Sequence, residues 1–145
     1  MWSRNARVNL VGARDAGVSA DAVVSVGKHS FHENILFTHR GLSGPAILQI
    51  SNYWKKELPV SIDLMPNVDL AAAITADRAD RRSLANYLAR HLPQRLADHI
   101  ADSLSLKKPV DRLSNAEIEL IASTMGAWQV EFDKTEGYDR AEVTL

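Results

Sequence analysis

Val18-Ser19-Ala20-Asp21-Ala22-Val23-Val24-Ser25-Val26 alternates apolar and polar side chains with a period of two, Val23 being the one exception. That period marks a strand with one face buried and the other in water. Asp15-Ala16-Gly17 in front of it and Gly27-Lys28 behind it carry turn chemistry. A second run then places Phe31, Glu33, Ile35 and Phe37 on one face, so Glu33 is expected at an edge or on a bulge. A small antiparallel sheet follows from these two runs.

Working outward, Pro45 to Trp54 changes period. Ala46, Ile47, Ile50, Tyr53 and Trp54 follow the spacing of one helix face. Val60, Ile62 and Leu64 alternate again, and Pro66 ends that strand. From Asn67 to Gly126 the signals are helical: Leu84, Leu88, Leu92, Leu96, Ile100 and Leu104 recur every four residues. With Pro93 as the first position of a new helix, helices are predicted over 78–91 and 93–105. Ser114 and Glu117 form an S-x-x-E capping box, Leu113 can staple onto Ile118, and Gly126 is placed just beyond the end of that third helix.

Trp128, Val130 and Phe132 alternate, Glu136-Gly137 turns the chain, and Ala141, Val143 and Leu145 alternate again. An isolated hairpin is marginal in water, so this one must rejoin the first strands. The predicted fold is α+β, a barrel-like antiparallel β lobe built from both ends of the chain with a small helical lobe inserted. Residues 1–66 and 127–145 make the β lobe, with a helix at about 44–55, and residues 67–126 make the helical lobe. Because strands start and stop almost at the chain ends, the whole is expected to be an excised piece.

The 145 residues hold no cysteine, which excludes disulfides, thiolate metal sites and a cysteine nucleophile. Seventeen basic and eighteen acidic side chains give a net charge of −1, which argues against nucleic acid as a partner. No stretch approaches the length of a membrane helix, so no membrane contact and a cytoplasmic location are expected. His29, His32 and His39 have no ligand spacing that fits zinc, so no metal is expected; His91 and His99 border the helical apolar stripe as packing residues. Arg78, Arg81, Arg82, Arg90 and Arg95, interleaved with Asp77, Asp80 and Asp98, read as a solvated helix face with internal ion pairs.

Gly41-Leu42-Ser43-Gly44-Pro45 is the remaining candidate. Pro45 stands where a nucleophile elbow needs its second glycine, so Ser43 is not read as a nucleophile. The G-x-x-G also lies between a strand and a helix, which is not the setting of a KH loop. Ser43 or Gly44 can instead cap the helix that Pro45 opens, and its free N–H groups can face an anionic or electron-rich group. His39 and Arg40 lie just upstream, and no acidic residue occurs between Phe37 and Asn52.

Phe37-Thr38-His39-Arg40-Gly41-Leu42-Ser43-Gly44-Pro45-Ala46 closely resembles the F-T-H-x-G-[LI]-S-G-P-A signature of the BaiN/YhiN-type flavoproteins. These are NAD(P)/FAD-dependent oxidoreductases, a family that includes aminoacetone-oxidase-like enzymes. Ile62-Asp63-Leu64-Met65-Pro66 and Gly137 to Thr144 agree with two further family segments in order and distance. Family members bind FAD through a G-x-G-x-x-G that this chain does not contain.

The resemblance therefore implies the insert domain alone: a substrate-side or cap domain of an FAD-dependent oxidoreductase, inactive by itself, with FAD only in the full-length parent. Its implied partners are the FAD-binding domain of the same polypeptide and a small-molecule substrate. It also implies that Thr38, His39, Arg40, Gly41, Ser43, Gly44 and Pro45 face the flavin or substrate, with no catalytic acid or base assigned. The alternative is a free-standing binding module whose helical lobe docks a protein or a nucleic acid.

Overall fold

The computed structural model describes residues 13–38, 41–54, 58–133 and 142–144. After a 3-10 turn at Ala13–Asp15 come strands β1 (Ser19–Val26), β2 (His29–Phe37) and β3 (Leu42–Ser43), helix α1 (Pro45–Ser51) and strand β4 (Val60–Asp63). Helices α2 (Leu70–Ala76), α3 (Leu84–Leu88), α4 (Gln94–Ser103) and α5 (Asn115–Gly126) follow, with a 3-10 turn at Val110–Arg112 before α5. Strands β5 (Trp128–Asp133) and β6 (Glu142–Thr144) close the chain.

The sheet has the order β3-β2-β1-β4-β5-β6, and every pairing is antiparallel. β5 returns from beyond the helices to pair with β4, Val60 opposite Val130 and Ile62 opposite Trp128. β6 comes near β3, so the sheet curls back towards itself as a barrel-like lobe made from both halves of the chain. Val18, Ala20, Ala22, Val24 and Val26 all point inward, as the alternation requires, and join Ile35, Phe37, Ile62 and Trp128 beneath α1. The Phe37 and Trp128 rings stack at 6.1 Å, near parallel. The register of β1 with β2 is unbroken, so Glu33 marks no bulge; it is exposed and accepts a hydrogen bond from Gln49 of α1 at 2.9 Å.

The helical lobe departs from the predicted boundaries in one informative place. Residues 78–83 are not helical, because Asp80 accepts from the backbone N–H of Arg82 at 2.8 Å and Ser83 caps α3 by accepting from Asn86. Such local side-chain bonds give the backbone an alternative to the helix. The Ala-rich α2, capped by Asp69, is an additional short helix that the leucine spacing does not reveal. Pro93 caps α4 from the position before its first turn, and α1 ends at Ser51 rather than Trp54. The Ser114 and Glu117 capping box is complete, with bonds of 2.9 and 3.1 Å, while Gly126 is the last helical residue and Ala127 the cap. Among the described residues no helix is long and apolar enough to cross a membrane.

The segment before β1 is fastened to one face of α4. Arg14 pairs with Asp102, Asp15 with His99, and the Ala16 carbonyl accepts from Arg95. Residues 95, 99 and 102 lie at i, i+4 and i+7, so these three bonds tie the start of the sheet to a single helical stripe. Asp15 is fully buried, and His99 is the one partner of its carboxylate among the described residues. Replacing His99→Ala strands that carboxylate, and stability is expected to fall by about 3–5 kcal/mol. Urea unfolding measures it, with the double variant Asp15→Asn/His99→Ala expected to recover part of the loss.

Candidate functional site

The signature stretch forms a turn and the start of a helix. Thr38 and Gly41 close the turn reciprocally: the Thr38 N–H donates to the Gly41 carbonyl at 2.8 Å, and the Gly41 N–H donates to the Thr38 hydroxyl oxygen at 3.0 Å. Leu42 and Ser43 then fold back on Phe37 and Leu36 as β3. Gly44 caps α1 from a backbone φ of 98°, and Pro45 takes the first helical position. Gly41 is buried, Ser43 and Gly44 are half-buried and Pro45 is exposed. The structure thus brings Thr38, Gly41, Ser43, Gly44 and Pro45 together, while His39 and Arg40 lie outside the described residues.

Within this turn Gly44 has a packing duty. A Cβ built there would stand 3.0 Å from both the Asn34 carbonyl oxygen and the Leu36 nitrogen, so the absent side chain is what lets α1 lie against β2. A dinucleotide cradle needs a parallel strand, a glycine-rich turn and a helix in succession. Among the described residues every strand pairing is antiparallel, and the sequence has no G-x-G-x-x-G, so this turn is not a cradle of that kind. Gly44→Ala combines an unfavourable φ with a clash against backbone and is expected to cost about 1–3 kcal/mol. Thermal unfolding should register it, and the exposed Pro45→Ala should change stability far less.

A second constellation lies at one end of the helical lobe. The α2–α3 connection runs beside the α4–α5 connection, and three backbone bonds hold them: Asp111 N–H to the Asp80 carbonyl at 2.9 Å, Val110 N–H to the Arg82 carbonyl at 2.9 Å and Leu84 N–H to the Lys108 carbonyl at 3.0 Å. The two strips, 78–82 and 107–112, carry six cations (Arg78, Arg81, Arg82, Lys107, Lys108 and Arg112) against two carboxylates, Asp80 and Asp111. Arg78 donates to the Leu113 carbonyl at 2.9 Å and to Asn115 at 3.0 Å, pinning the start of α5. Arg82 is held by Asp80 at 2.5 Å, Lys107 by Asp102 at 3.0 Å and Lys108 by Glu117 at 2.7 Å. Arg81 and Arg112 are exposed and have no carboxylate partner among the described residues.

The electrostatics follow from these pairs. Hydrogen bonds from the Arg82 side chain and backbone hold the Asp80 carboxyl down to about 2. Glu117 is lowered first by Lys108 and then by the Ser114 N–H, and Asp102 first by Lys107 and then by Arg14. Behind the strips, Tyr87 is buried, its hydroxyl donates to Asp77 at 2.6 Å, and the guanidinium carbons of Arg82 and Arg90 lie 5.8 and 5.3 Å from its ring centre. Burial first and the bond to Asp77 second push the Tyr87 hydroxyl up to about 12. Its raised value means that this bond stabilises the fold fully below the ordinary tyrosine value of 10, and that the contribution is lost as the pH rises through about 12. Difference absorbance of the phenolate during alkaline titration, with Tyr87→Phe as the control, should place its ionisation near pH 12.

The pattern of arginines and aspartates announces ion pairs, and Arg82 with Asp80 and Arg90 with Asp77 make them. Lys107, Lys108 and Arg112 are functional candidates that the sequence pattern does not single out. The one available signal is a Lys-Lys-Pro step between two helical periodicities. Arg95 does not belong to the constellation, since it reaches the other way to Ala16.

A curled antiparallel sheet that carries a helical lobe, with a turn at residues 104–105 and the 3-10 turn at Val110–Arg112 between its last two helices, defines a barrel-and-helix domain. This chain belongs to the family described as the HI0933-like protein barrel and H2TH domain, whose model matches residues 8–143. It is 44% identical over 138 residues to the ribosomal RNA dihydrouridine synthase of Escherichia coli (strain K12), covering 90% of this chain and 34% of that protein. It is 35% identical over 135 residues to the ribosomal RNA dihydrouridine synthase of Haemophilus influenzae (strain ATCC 51907 / DSM 11121 / KW20 / Rd), covering 90% of this chain and 33% of that protein. The chain spans about a third of the length of the curated relatives it matches.

These findings correct the expectation that nucleic acid is not a partner. The family is described by an H2TH unit, and both relatives are named for a ribosomal RNA. The physical reason for the misreading is that a net charge averages over the chain, whereas recognition depends on the local field. The names of the relatives also differ from the aminoacetone-oxidase-like activity that the resemblance implies.

Proposed function

We propose that this domain is the RNA-holding part of a flavin-dependent enzyme that modifies ribosomal RNA, inserted between the halves of an FAD-binding fold outside these residues. The helical lobe, residues 67–126, grips the RNA backbone. The β lobe, residues 1–66 and 127–145, carries that grip on a rigid sheet and turns the Thr38–Pro45 stretch towards the reaction centre. Flavin would supply the reducing chemistry when bound in the parent; this chain positions the substrate.

The observation that carries the reading is the zipped pair of connections. Two strips with six cations against two carboxylates lie side by side, and Arg81 and Arg112 remain uncommitted in water. Exposed arginines without a carboxylate are free to meet phosphates, and each such pairing would release counterions. Support therefore lies on the helical lobe, as in the alternative of a lobe that docks a nucleic acid. It does not lie with a small-molecule cap.

In the full-length parent, Arg81→Ala/Arg112→Ala is expected to weaken binding of a ribosomal RNA fragment by about tenfold at moderate salt. The slope of log affinity against log salt should become shallower by about 0.7–0.9 for each phosphate that an arginine no longer neutralises. Both side chains are exposed, so the melting temperature should hold. Unchanged affinity and slope would remove the helical lobe from RNA binding.

A further inference from the structure

At the end of β2 remote from the Thr38–Gly41 turn, three rings gather at the surface. His29 and Phe31 stand two residues apart on one face of β2, and Tyr53, just after α1, lies against both. The His29 and Tyr53 ring centres are 3.8 Å apart with 20° between their planes, and those of Phe31 and Tyr53 are 5.6 Å apart at 25°. Phe31 anchors the group on the core, whereas His29 is exposed and Tyr53 is 43% exposed. Lys28, also exposed, precedes His29 in the tight turn. β3 pairs only with Leu36 and Phe37, so residues 29–35 of β2 have no strand on their outer side among the described residues.

Core packing accounts for Phe31 but not for His29 and Tyr53, whose rings are exposed. What the corner offers is a flat, half-wet aromatic surface with polar rims, a cation beside it and a strand edge that is open among the described residues. The carboxylate on the same face, Glu33, is already held by Gln49. A nucleobase finds a face to stack on, and the phosphate next to it finds Lys28.

We propose that His29, Phe31 and Tyr53 form a stacking platform for an unpaired base of the RNA, a second binding point distinct from the basic strips of the helical lobe. The proposal rests on the RNA reading above and deepens it. One site holds the backbone by charge, and the other selects single-stranded substrate by requiring a base that is free to stack.

The test uses the full-length parent and fluorescence anisotropy with an unstructured single-stranded RNA oligonucleotide. Tyr53→Ala is expected to weaken binding by about tenfold without altering the salt slope, and Tyr53→Phe to bind as the unmodified protein does. A base-paired duplex of the same sequence should be indifferent to Tyr53→Ala. If Tyr53→Ala binds single strands normally while Arg81→Ala/Arg112→Ala binds weakly, the platform is wrong and the RNA reading stands. If no variant affects binding, or the parent binds no RNA, both fail. Equal losses for Tyr53→Ala and Tyr53→Phe with a lowered melting temperature would assign the ring to packing and overturn the platform. Should the corner instead be covered by the rest of the parent polypeptide, His29→Ala and Tyr53→Ala would leave RNA affinity unchanged, which also overturns it.

Discussion

The pairing of β4 with β5 is the constraint on which the rest of this domain depends. Val60 faces Val130 and Ile62 faces Trp128, and the Leu64 N–H donates to the Met125 carbonyl at 2.8 Å, so residues 64 and 125 are held side by side. Everything between them becomes a closed excursion. Closing a loop of that length costs only slightly more than closing a short one, since the entropy grows with the logarithm of length. The chain must nevertheless recover that cost and the ordering of its residues by packing the excursion against itself. The helices α2 to α5 do so with α3 packed on α4 through the buried Leu84, Leu88, Leu92, Leu96 and Ile100, and α2 packed on α5, where Ile118 and Ile121 are buried.

A closed excursion of short helices has its connections at its ends, and backbone polar groups there need partners. The α2–α3 and α4–α5 connections solve this by bonding to each other, through Asp80, Arg82 and Leu84 on one side and Lys108, Val110 and Asp111 on the other. Six cations are thereby brought into one region as a by-product of satisfying the backbone. Their carboxylate partners are distributed unevenly: Arg82 and Lys108 are neutralised in place, and Arg81 and Arg112 are left to solvent. The same zipper that completes the fold thus gathers these cations, which links the sheet's topology to the function proposed for the helical lobe.

What is legible in the sequence follows from how each feature is encoded. The inward set of β1 can be read residue by residue, because a period of two survives any tertiary context when one face is buried. The Ser114 capping box is equally legible, since both of its bonds are local. The non-helical run at 78–83 is not, for its arginines at 78, 81 and 82 have helical spacing and lead straight into the leucine series that begins at Leu84. The deciding bonds, from the Arg82 N–H to Asp80 and from the Asn86 N–H to Ser83, are made by side chains whose preference for turns is weak one residue at a time. Gly44 is legible as a turn glycine, but its close approach to Asn34 and Leu36 is a tertiary fact.

Electrostatics is where local and averaged readings part most sharply. A net charge of −1 and the placement of six cations at one end are both true of the same chain. Charges separated by more than a Debye length of about 8 Å at physiological ionic strength scarcely sense one another, so the field at the zipped connections is set by their own neighbours. Asp15 illustrates the converse. It counts as one acidic residue in the sum, yet it is fully buried against His99 and contributes to holding the sheet on α4, while the surface field owes it little. Several of the acidic side chains that balance the total are committed to local partners, Asp77 to Tyr87, Asp102 to Arg14 and Lys107, and Glu117 to the α5 cap. Sequence arithmetic weights every charge equally; folding assigns some to structure and leaves others in solvent, and Arg81 and Arg112, left in solvent, stand where the connections meet.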